Sequence, residues 1–451
     1  FCALHKTSYY CMRFVNKPRD MEERMFKLKE NFLLGVATAS TQIEGGRVNS
    51  NWNDFCDRKM TNDGSDVARA NMHYEKVEKD TELLKKMGIQ TYRMSLEWAR
   101  IEPEKGKFDT KALDHYKEEL SLLKKAGIRP LISLYHFSHP MWFENSGGFT
   151  KKENVEVFLN YVKTCISELG SLCSDYVTIN EPNVYAVQSF FLGLWPPEKK
   201  SIAKTLKVMN IFIAAHCKAY DLIHEIRKEK GLTDTRVSFA HHMQAFHPKD
   251  KNRKADQRAA KRISKIFQDG IMEACFKGEF SFPFKNILNI KKKNYVDFIA
   301  INYYSRQAVR GLSYKAFENT PKNDLGWDIY PLGLIECAQT CYNCLPLPIV
   351  ISENGTCDNK DEFRCRYIYD HLKLISESPL PFEAYYHWCF IDNFEWKEGE
   401  SARFGLVHCN YETQERTIKK SGEFYSEMIK KRGVDKSMME KYIEPCKYNV
   451  R

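Results

Sequence analysis

Two glutamates, Glu181 and Glu353, follow short apolar runs at widely separated places in the chain. Glu181 stands in Thr178-Ile-Asn-Glu-Pro, and Glu353 stands in Ile351-Ser-Glu-Asn-Gly. Each run is typical of a buried strand, and Pro182 ends the first because proline has no N–H to donate to a neighbouring strand. Either glutamate alone could be an ordinary loop residue. Cleavage of a glycosidic bond, however, uses a pair of carboxyl groups, and two strand-end glutamates could supply that pair.

The two glutamates can face each other only in a fold that gathers strand ends at one place. Eight strand-like runs occupy residues 32–40, 91–98, 130–135, 174–180, 236–242, 295–302, 347–352 and 382–388. Helical patterns occupy residues 66–87, 111–126, 152–169, 201–230, 254–276 and 418–431. Continuous apolar strands between helices predict a parallel sheet covered by helices. Eight such units predict a single (β/α)₈ TIM barrel, with the active site at the C-terminal ends of its strands. A doubly wound sheet would need a glycine-rich phosphate-binding turn, and the sequence contains none.

Further polar and aromatic residues fall at the predicted strand ends: Gln42, Arg93, His136, Asn180, Asn302, Tyr304 and Trp388. Each also has a structural interpretation. Arg93 could pair with a buried acid, His136 could be a core histidine, and Trp388 and Trp396 could be packing aromatics. Only their combination at one end of a barrel indicates a functional site. We expect residues 26–435 to form the catalytic barrel, with an N-terminal extension at 1–25 and a C-terminal tail at 436–451.

The charge and the apolar pattern argue against two other classes of protein. The chain has 451 residues and a net charge of +10, but its basic residues form scattered short runs. A nucleic-acid-binding protein concentrates basic residues on one element, so we expect no nucleic-acid partner. No run of 18 or more apolar residues occurs, and residues 1–20 lack the apolar block of a signal peptide. We therefore expect no membrane-spanning segment.

The 15 cysteines show no disulfide framework, and Cys341-x-x-Cys344 has no second pair at the spacing of a zinc site. Many unpaired thiols favour a reducing compartment, which predicts a cytoplasmic location. The single Asn-x-Ser/Thr sequon starts at Asn354, directly after Glu353, where a glycan would block the proposed site. No group of residues resembles a metal-ligand set, so we expect neither metal nor cofactor.

With these residues in view, the sequence resembles glycoside hydrolase family 1, the β-glucosidase family, over residues 30 to 435. The motifs that carry the resemblance are Gly35-Val-Ala-Thr-Ala-Ser, Gln42-Ile-Glu-Gly, Tyr92-Arg93-Met-Ser, Thr178-Ile-Asn-Glu-Pro, Asn302-Tyr-Tyr-Ser, Ile351-Ser-Glu-Asn-Gly, Asp392-Asn-Phe-Glu-Trp and Arg403-Phe-Gly-Leu.

The resemblance implies a retaining β-glycosidase that acts on small β-glycosides or short oligosaccharides. Glu181 would be its acid/base and Glu353 its nucleophile. Arg93 and Tyr304 would contact the nucleophile, and Asn180 would hold the sugar 2-hydroxyl. The residues implied for the remaining hydroxyls are Gln42, His136, Glu395 and Trp396, with Trp388 as the stacking platform. The sequence departs from the family pattern at His136-Phe-Ser-His-Pro, where His-Trp-Asp-Leu-Pro is usual, and this leaves the preferred aglycone open.

Three alternatives remain at this point. A 6-phospho-β-glycosidase on the same fold would carry a serine in place of Glu395, and Ala402-Arg403-Phe404 lacks the lysine and tyrosine of that group. A transglycosidase shares every catalytic residue with the hydrolases. A non-catalytic sugar-binding protein would have lost one of the two glutamates, and both are present.

Overall fold

The computed structural model describes residues 25–311 and 313–450. Its central feature is a closed parallel barrel of eight strands. They are β1 (Leu33–Ala37), β2 (Thr91–Ser95), β3 (Arg129–Ser133), β4 (Asp175–Asn180), β5 (Arg236–Pro248), β6 (Ile299–Arg310), β7 (Ile349–Asn354) and β8 (Phe382–Trp388). Each strand pairs with the next in chain order, and β8 closes the barrel by pairing parallel with β1, from Ala384 opposite Leu33 to Trp388 opposite Ala37. The predicted fold class is confirmed.

Nine longer helices surround the barrel in the described part of the chain. They are α1 (His73–Lys86), α2 (Thr110–Lys125), α3 (Asn154–Leu169), α4 (Ile202–Glu229), α5 (Lys254–Ser264), α6 (Gly270–Lys277), α7 (Leu332–Cys344), α8 (Arg364–Glu377) and α9 (Lys420–Lys431). Helix α2 shows why these segments are helical. The Asp109 side chain accepts from the N–H groups of Lys111 and Ala112 and so caps the helix. Its buried residues recur every three or four positions, for example Leu113, Tyr116, Leu120 and Leu123, so one face packs on the barrel.

Short helical segments and strands complete the fold. The short helical segments are Ser40–Ile43, Asn51–Asp57, Trp98–Ile101, Met141–Asn145, Gly148–Thr150, Pro182–Ala186, Val187–Phe191, Lys265–Asp269, Trp396–Glu398, Lys436–Met438 and Met439–Ile443. The short strands are Phe26–Lys27, Ser313–Lys315, Pro321–Lys322, Val407–Cys409, Arg416–Ile418, Gly433–Val434 and Asn449–Val450.

Two predicted helices differ in their bounds. The helix predicted to begin at residue 66 begins at His73, because Asp66 and the following residues form turns and Met72 adopts a left-handed conformation with φ 51°. The helix predicted over residues 254–276 is divided by a π-helical turn at Lys265–Asp269. Helices α7 and α8 were not predicted.

Strands β5 and β6 continue well past the barrel rim. They pair with each other as far as Pro248 and Val309, and β6 then turns back into Ser313–Lys315 as an antiparallel hairpin. This extended ladder stands on the C-terminal side of the barrel, beside the strand ends where the site is predicted. The sequence pattern predicted both strands but placed their ends at residues 242 and 302, because the outer part of each strand is only partly buried.

The two ends of the described chain are attached to the barrel. Phe26–Lys27 pairs with Gly433–Val434, and Asn449–Val450 pairs with Pro321–Lys322. Met438, Tyr442 and Ile443 are buried in the main core, so the segment expected as a C-terminal tail is packed on the catalytic barrel. Residues 1–24 of the expected N-terminal extension lie outside the described residues. Within the described residues, no helix combines the length and apolar character needed to cross a membrane.

Candidate active site

Glu181 and Glu353 line one cleft of about 370 Å³ at the C-terminal ends of the barrel strands. Glu353 lies in β7, one residue before its end, and is buried. Glu181 directly follows β4, where it precedes the short helix Pro182–Ala186. The backbone of Glu181 has a φ of 41°, a left-handed conformation that is costly for a residue with a side chain. Its N–H donates to the carbonyl of Ala240 at 2.8 Å, which holds this conformation and directs the carboxyl into the cleft.

The Glu353 carboxylate has two close donors. Arg93 Nη1 lies 2.5 Å from Oε1, and the Tyr304 hydroxyl donates to Oε2 at 2.6 Å. Arg93 comes from β2 and is fully buried. Its remaining N–H groups donate to Ser133 Oγ at 3.0 Å, to the Ser352 carbonyl at 3.1 Å and to Asn180 Oδ1 at 2.7 Å. The guanidinium is therefore fixed in orientation, and it holds one oxygen of Glu353 in place.

The charge state of Glu353 reflects opposing influences. Burial raises the pKa of its carboxyl to about 7, the Arg93 charge opposes that rise, and the nearby Glu181 charge adds to it. Burial of the carboxyl therefore outweighs the stabilising charge of Arg93. Since the two carboxyls interact, the titration near pH 7 belongs to the pair, which retains one proton up to about that pH.

Glu181 has two neighbours of its own, and both contact Oε1. Asn302 Nδ2 donates to it at 2.9 Å, and His242 Nδ1 lies at 2.9 Å. The Nε2 atom of His242 lies 3.0 Å from Nε2 of the Gln244 amide, which can only donate. We therefore assign the proton of His242 to Nδ1, from where it donates to Glu181. Sequence reasoning missed His242 and Gln244, although a histidine at the end of the predicted strand 236–242 and a polar residue two positions later would have been a signal for them.

Asn180 links the surroundings of the two glutamates. Its Oδ1 accepts from both Arg93 and Asn302, and its Nδ2 donates to His136 Nε2 at 3.0 Å. His136 stacks against Trp388 and Trp396, with ring centroids 5.9 and 5.8 Å away. Burial, helped by the Arg93 charge, lowers the pKa of His136 well below its usual value, so this imidazole is neutral.

Gln42 and Glu395 lie together at the far side of the pocket. Gln42 Nε2 donates to the Phe394 carbonyl at 2.7 Å and to Glu395 Oε2 at 3.3 Å, and Trp388 Nε1 lies 3.5 Å from the same oxygen. Burial raises the pKa of Glu395 to about 8. The hydrogen bond from Trp388 opposes this rise, and the negative charge of Glu353 adds to it. Glu395 is therefore mostly protonated at neutral pH.

The structure brings all ten predicted site residues into one network. Eight of them line the cleft: His136, Asn180, Glu181, Tyr304, Glu353, Trp388, Glu395 and Trp396. Arg93 and Gln42 lie directly behind it and reach it through hydrogen bonds. Buried polar atoms usually have a partner, yet Gln42 Oε1 and His136 Nδ1 have none in the described structure. A ligand rich in hydroxyl groups can satisfy both atoms.

The unusual residues of the His136-Phe-Ser-His-Pro segment affect the cleft at one position, Phe137. Phe137 lines it and packs against Trp195 and Trp396 at centroid distances of 5.1 and 5.2 Å. The other polar residues of the segment point elsewhere, since Ser138 Oγ donates to Glu97 and His139 Nε2 lies 2.7 Å from Glu144. No group of three or more His, Cys, Asp or Glu side chains suited to a metal ion occurs within residues 25–311 and 313–450.

Comparisons with known proteins agree with this geometry. The model of a family described as Glycosyl hydrolase family 1 matches residues 24–434. Beta-glucosidase A of Acetivibrio thermocellus is 33% identical over 450 residues, which cover 90% of this chain and 98% of that protein. A beta-glycosidase from Pyrococcus horikoshii superimposes with a TM-score of 0.84 at 30% identity, covering 93% of this chain and 98% of that one. A beta-glucosidase from Thermotoga maritima in complex with glucoimidazole gives a TM-score of 0.84 at 27% identity, covering 91% and 100%.

Proposed function

The chain belongs to glycosyl hydrolase family 1 and is a retaining β-glycosidase of the β-glucosidase type, and we propose that Glu353 is its nucleophile and Glu181 its acid/base. The observation that carries this assignment is the different environment of the two carboxyls. Glu353 has a cation and a phenol as donors, both of which favour its ionised form. The hydrogen-bonding partners of Glu181 in the described structure are Asn302 and His242. Neither is a permanent cation, since a histidine carries a charge only when it is protonated.

The first step breaks the glycosidic bond. Glu181 gives its proton to the leaving oxygen while a carboxylate oxygen of Glu353 attacks the anomeric carbon, so that the aglycone leaves as an alcohol and the sugar becomes an ester of Glu353. The proton retained by the pair up to about pH 7 is the one this step consumes. We place it on Glu181, because Arg93 and Tyr304 both donate to Glu353.

The second step releases the sugar. Once Glu353 is esterified its negative charge is gone, and Glu181 is left as a carboxylate. It takes a proton from water, the resulting hydroxide equivalent attacks the anomeric carbon, and Glu353 departs with its charge restored. The donors on Glu353, Arg93 above all, stabilise that departing charge. The hydrogen bonds from His242 and Asn302 favour the ionised form of Glu181 that acts as base in this step.

The sugar-binding roles implied by the family resemblance have structural support. Asn180, held between Arg93 and His136, is positioned close to both glutamates, where it would take the sugar 2-hydroxyl. Gln42, His136, Glu395 and Trp396 would take the 3-, 4- and 6-hydroxyls over Trp388. We propose small β-glycosides or short oligosaccharides as substrates. A 6-phospho-sugar is not favoured, because Glu395 occupies the outer end of the pocket, and nearby Arg403 is engaged with Asp392 and the Cys409 carbonyl.

We also place the protein in the cytoplasm. All 13 cysteines within the described residues are free thiols, which suits a reducing compartment. The sequon residue Asn354 is fully buried, and its Nδ2 donates to the Tyr303 carbonyl and the Tyr367 hydroxyl. That nitrogen has no room for a glycan in the folded protein.

The roles of the two glutamates are tested by the Glu181→Gln variant on substrates with different leaving groups. Dinitrophenyl glycosides need little protonation, so their first step should be nearly unaffected, whereas alkyl glycosides should lose about 10²- to 10⁴-fold in rate. Pre-steady-state release of dinitrophenol and steady-state rates on both substrates measure this. Equal losses on both would assign Glu181 a structural role only, and thermal unfolding of the variant would confirm that interpretation.

A further inference from the structure

Exposed apolar side chains concentrate at the mouth of the cleft. Eleven large apolar residues are exposed within residues 25–311 and 313–450. Three of them line the cleft, and three more directly neighbour cleft residues in sequence; these six are Phe191, Leu192, Leu194, Ile266, Tyr314 and Trp327. We call these six side chains the apolar rim. Exposed apolar side chains grouped at one site are uncommon on a protein unless they contact something, and the three that line the cleft lie where a substrate enters, which indicates a role in binding.

The rim continues an apolar path that starts beside the acid/base. Val184 and Val187 follow Glu181 on the short helical segments after β4. Both line the cleft, as does Leu192 further along the chain. A second part of the apolar path begins at Phe267, which lines the cleft. Its ring packs on Phe246 with centroids 5.6 Å apart, and the Phe246 ring packs on Tyr314 with centroids 5.9 Å apart.

A third side of the path is formed by Leu325 and Trp327, which both line the cleft. The Trp327 ring lies 5.9 Å from Tyr304 and 6.0 Å from Phe404, so it is anchored to the wall of the inner pocket. Because Glu181 protonates the leaving oxygen, the leaving group must lie on the side of the cleft where this path begins.

Polar side chains line the cleft as well, among them Gln307, Lys397 and Glu398. Gln188 and Gln244 line the cleft, and each has a buried Oε1 atom without a partner in the described structure. These oxygens can accept from hydroxyl groups close to the scissile bond. The rim adds aliphatic and aromatic carbon from several separate elements, which is the surface that an alkyl chain requires.

We propose that the enzyme acts on amphiphilic β-glycosides whose aglycone carries an alkyl chain that lies along the apolar rim. The inference rests on the proposed function, since it names the leaving group for the same two glutamates. A chain of several carbons fits better than a lone aryl ring, because Leu192, Tyr314 and Trp327 line the cleft from separate elements and are all exposed.

The test is kcat/KM for methyl, butyl, hexyl and octyl β-D-glucosides, all below their micelle-forming concentrations, with cellobiose as a polar comparator. We expect kcat/KM to rise by about twofold for each added methylene, which is less than full burial of the group would give. The octyl glucoside should therefore exceed the methyl glucoside by about 100-fold and should also exceed cellobiose.

Matched variants locate the effect. Leu192→Ser/Ile266→Ser should reduce the octyl-to-methyl ratio by at least about tenfold. Ile202→Ser/Phe282→Ser removes two exposed apolar residues that are neither in the cleft lining nor next to it, and it should leave the ratio unchanged. All four positions are exposed, and thermal unfolding checks that both proteins are folded.

The outcomes separate the two proposals. If methyl and nitrophenyl glucosides are cleaved but octyl glucoside is no better than methyl, or cellobiose is preferred, the amphiphile proposal is wrong and the proposed function stands. An octyl preference that both variants lose equally would also overturn it, since the rim would not be its source. If no β-glucoside of any kind is cleaved, the proposed function fails as well.

Discussion

Arg93 Nη1 lies 2.5 Å from Glu353 Oε1, and neither side chain is appreciably exposed to solvent. The contact joins the second and seventh strands of the barrel across its interior. A buried carboxylate deprived of its cation is destabilised by several kcal/mol and takes up a proton instead. The pair therefore sets how much of Glu353 is available as a nucleophile.

Replacing Arg93 with methionine should lower kcat/KM at pH 6 by about 10²- to 10⁴-fold, which corresponds to a loss of about 3–5 kcal/mol from a broken buried pair. Part of the activity should return as the pH rises, because Glu353 must ionise to attack. Arg93→Lys keeps the charge but loses the fork that also holds Asn180, so it should retain more activity. Rates at several pH values measure both effects. A methionine variant within tenfold of the wild type at pH 6 would contradict this role.

The contact between His242 and Glu181 predicts a change in the pH profile. For the wild type, kcat/KM should fall above pH about 7, where the carboxyl pair loses its last proton. His242→Phe removes a donor that favours the ionised carboxylate, so the pair should keep its proton to higher pH. A hydrogen bond to a charged group contributes about 1.5–3 kcal/mol, so the alkaline limb should move up by about one pH unit or more.

The control for His242 is Gln244→Ala, which leaves the imidazole in place and should move the alkaline limb less. Among the described residues, the other titratable side chain that faces His242 is Tyr304, whose ring is stacked 6.0 Å away. The neighbouring His241 lies on the opposite face of β5, with its Nε2 3.1 Å from the Gln268 carbonyl, and is neutral. An alkaline limb that stays where it is in the phenylalanine variant, or that moves to lower pH, would show that His242 has no part in proton transfer.

Glu395 is expected to distinguish sugars by their outer hydroxyls. Because the Glu395 carboxyl is mostly protonated, Glu395→Ala should slow cleavage of a glucoside by about 2- to 12-fold for each neutral hydrogen bond lost. A xyloside lacks the 6-hydroxyl and should lose less. Glu412→Ala, which removes an exposed acid elsewhere, is the matched control. The ratio of kcat/KM values for glucoside and xyloside is the measurement, and an equal loss on both sugars would remove Glu395 from contact with the 6-hydroxyl.

The barrel could be predicted because its strands are continuous apolar runs that end in polar residues. Parallel strands covered by helices require such runs, and all eight are present in the structure. Helix α7 escaped prediction because its buried face consists of small or sulfur-bearing residues, Gly333, Cys337, Ala338 and Cys341 among them, which give a weak apolar pattern. Helix α8 lies between two predicted strands and was not recognised, although it also has a buried face.

Site residues within strand-end motifs could be predicted, whereas those supplied by tertiary pairing could not. His242 reaches Glu181 because β4 and β5 pair with a register shift between Val177 and Asn180, which no local pattern reveals. Tyr314 approaches the cleft only because β6 turns back into a hairpin. The raised pKa of Glu395 depends likewise on burial among residues from distant segments.

The central claim is that Glu353 forms the covalent bond to the sugar. The most direct measurement is inactivation by an activated 2-deoxy-2-fluoro-β-glucoside, followed by proteolysis and mass spectrometry of the labelled peptide. The fluorine slows both steps and the good leaving group restores the first, so the glycosyl-enzyme should accumulate. We expect one fluorosugar per chain, attached to Glu353, and no label in Glu353→Ala. A label on a different residue, or Glu353→Ala hydrolysis within tenfold of the wild type, would contradict it.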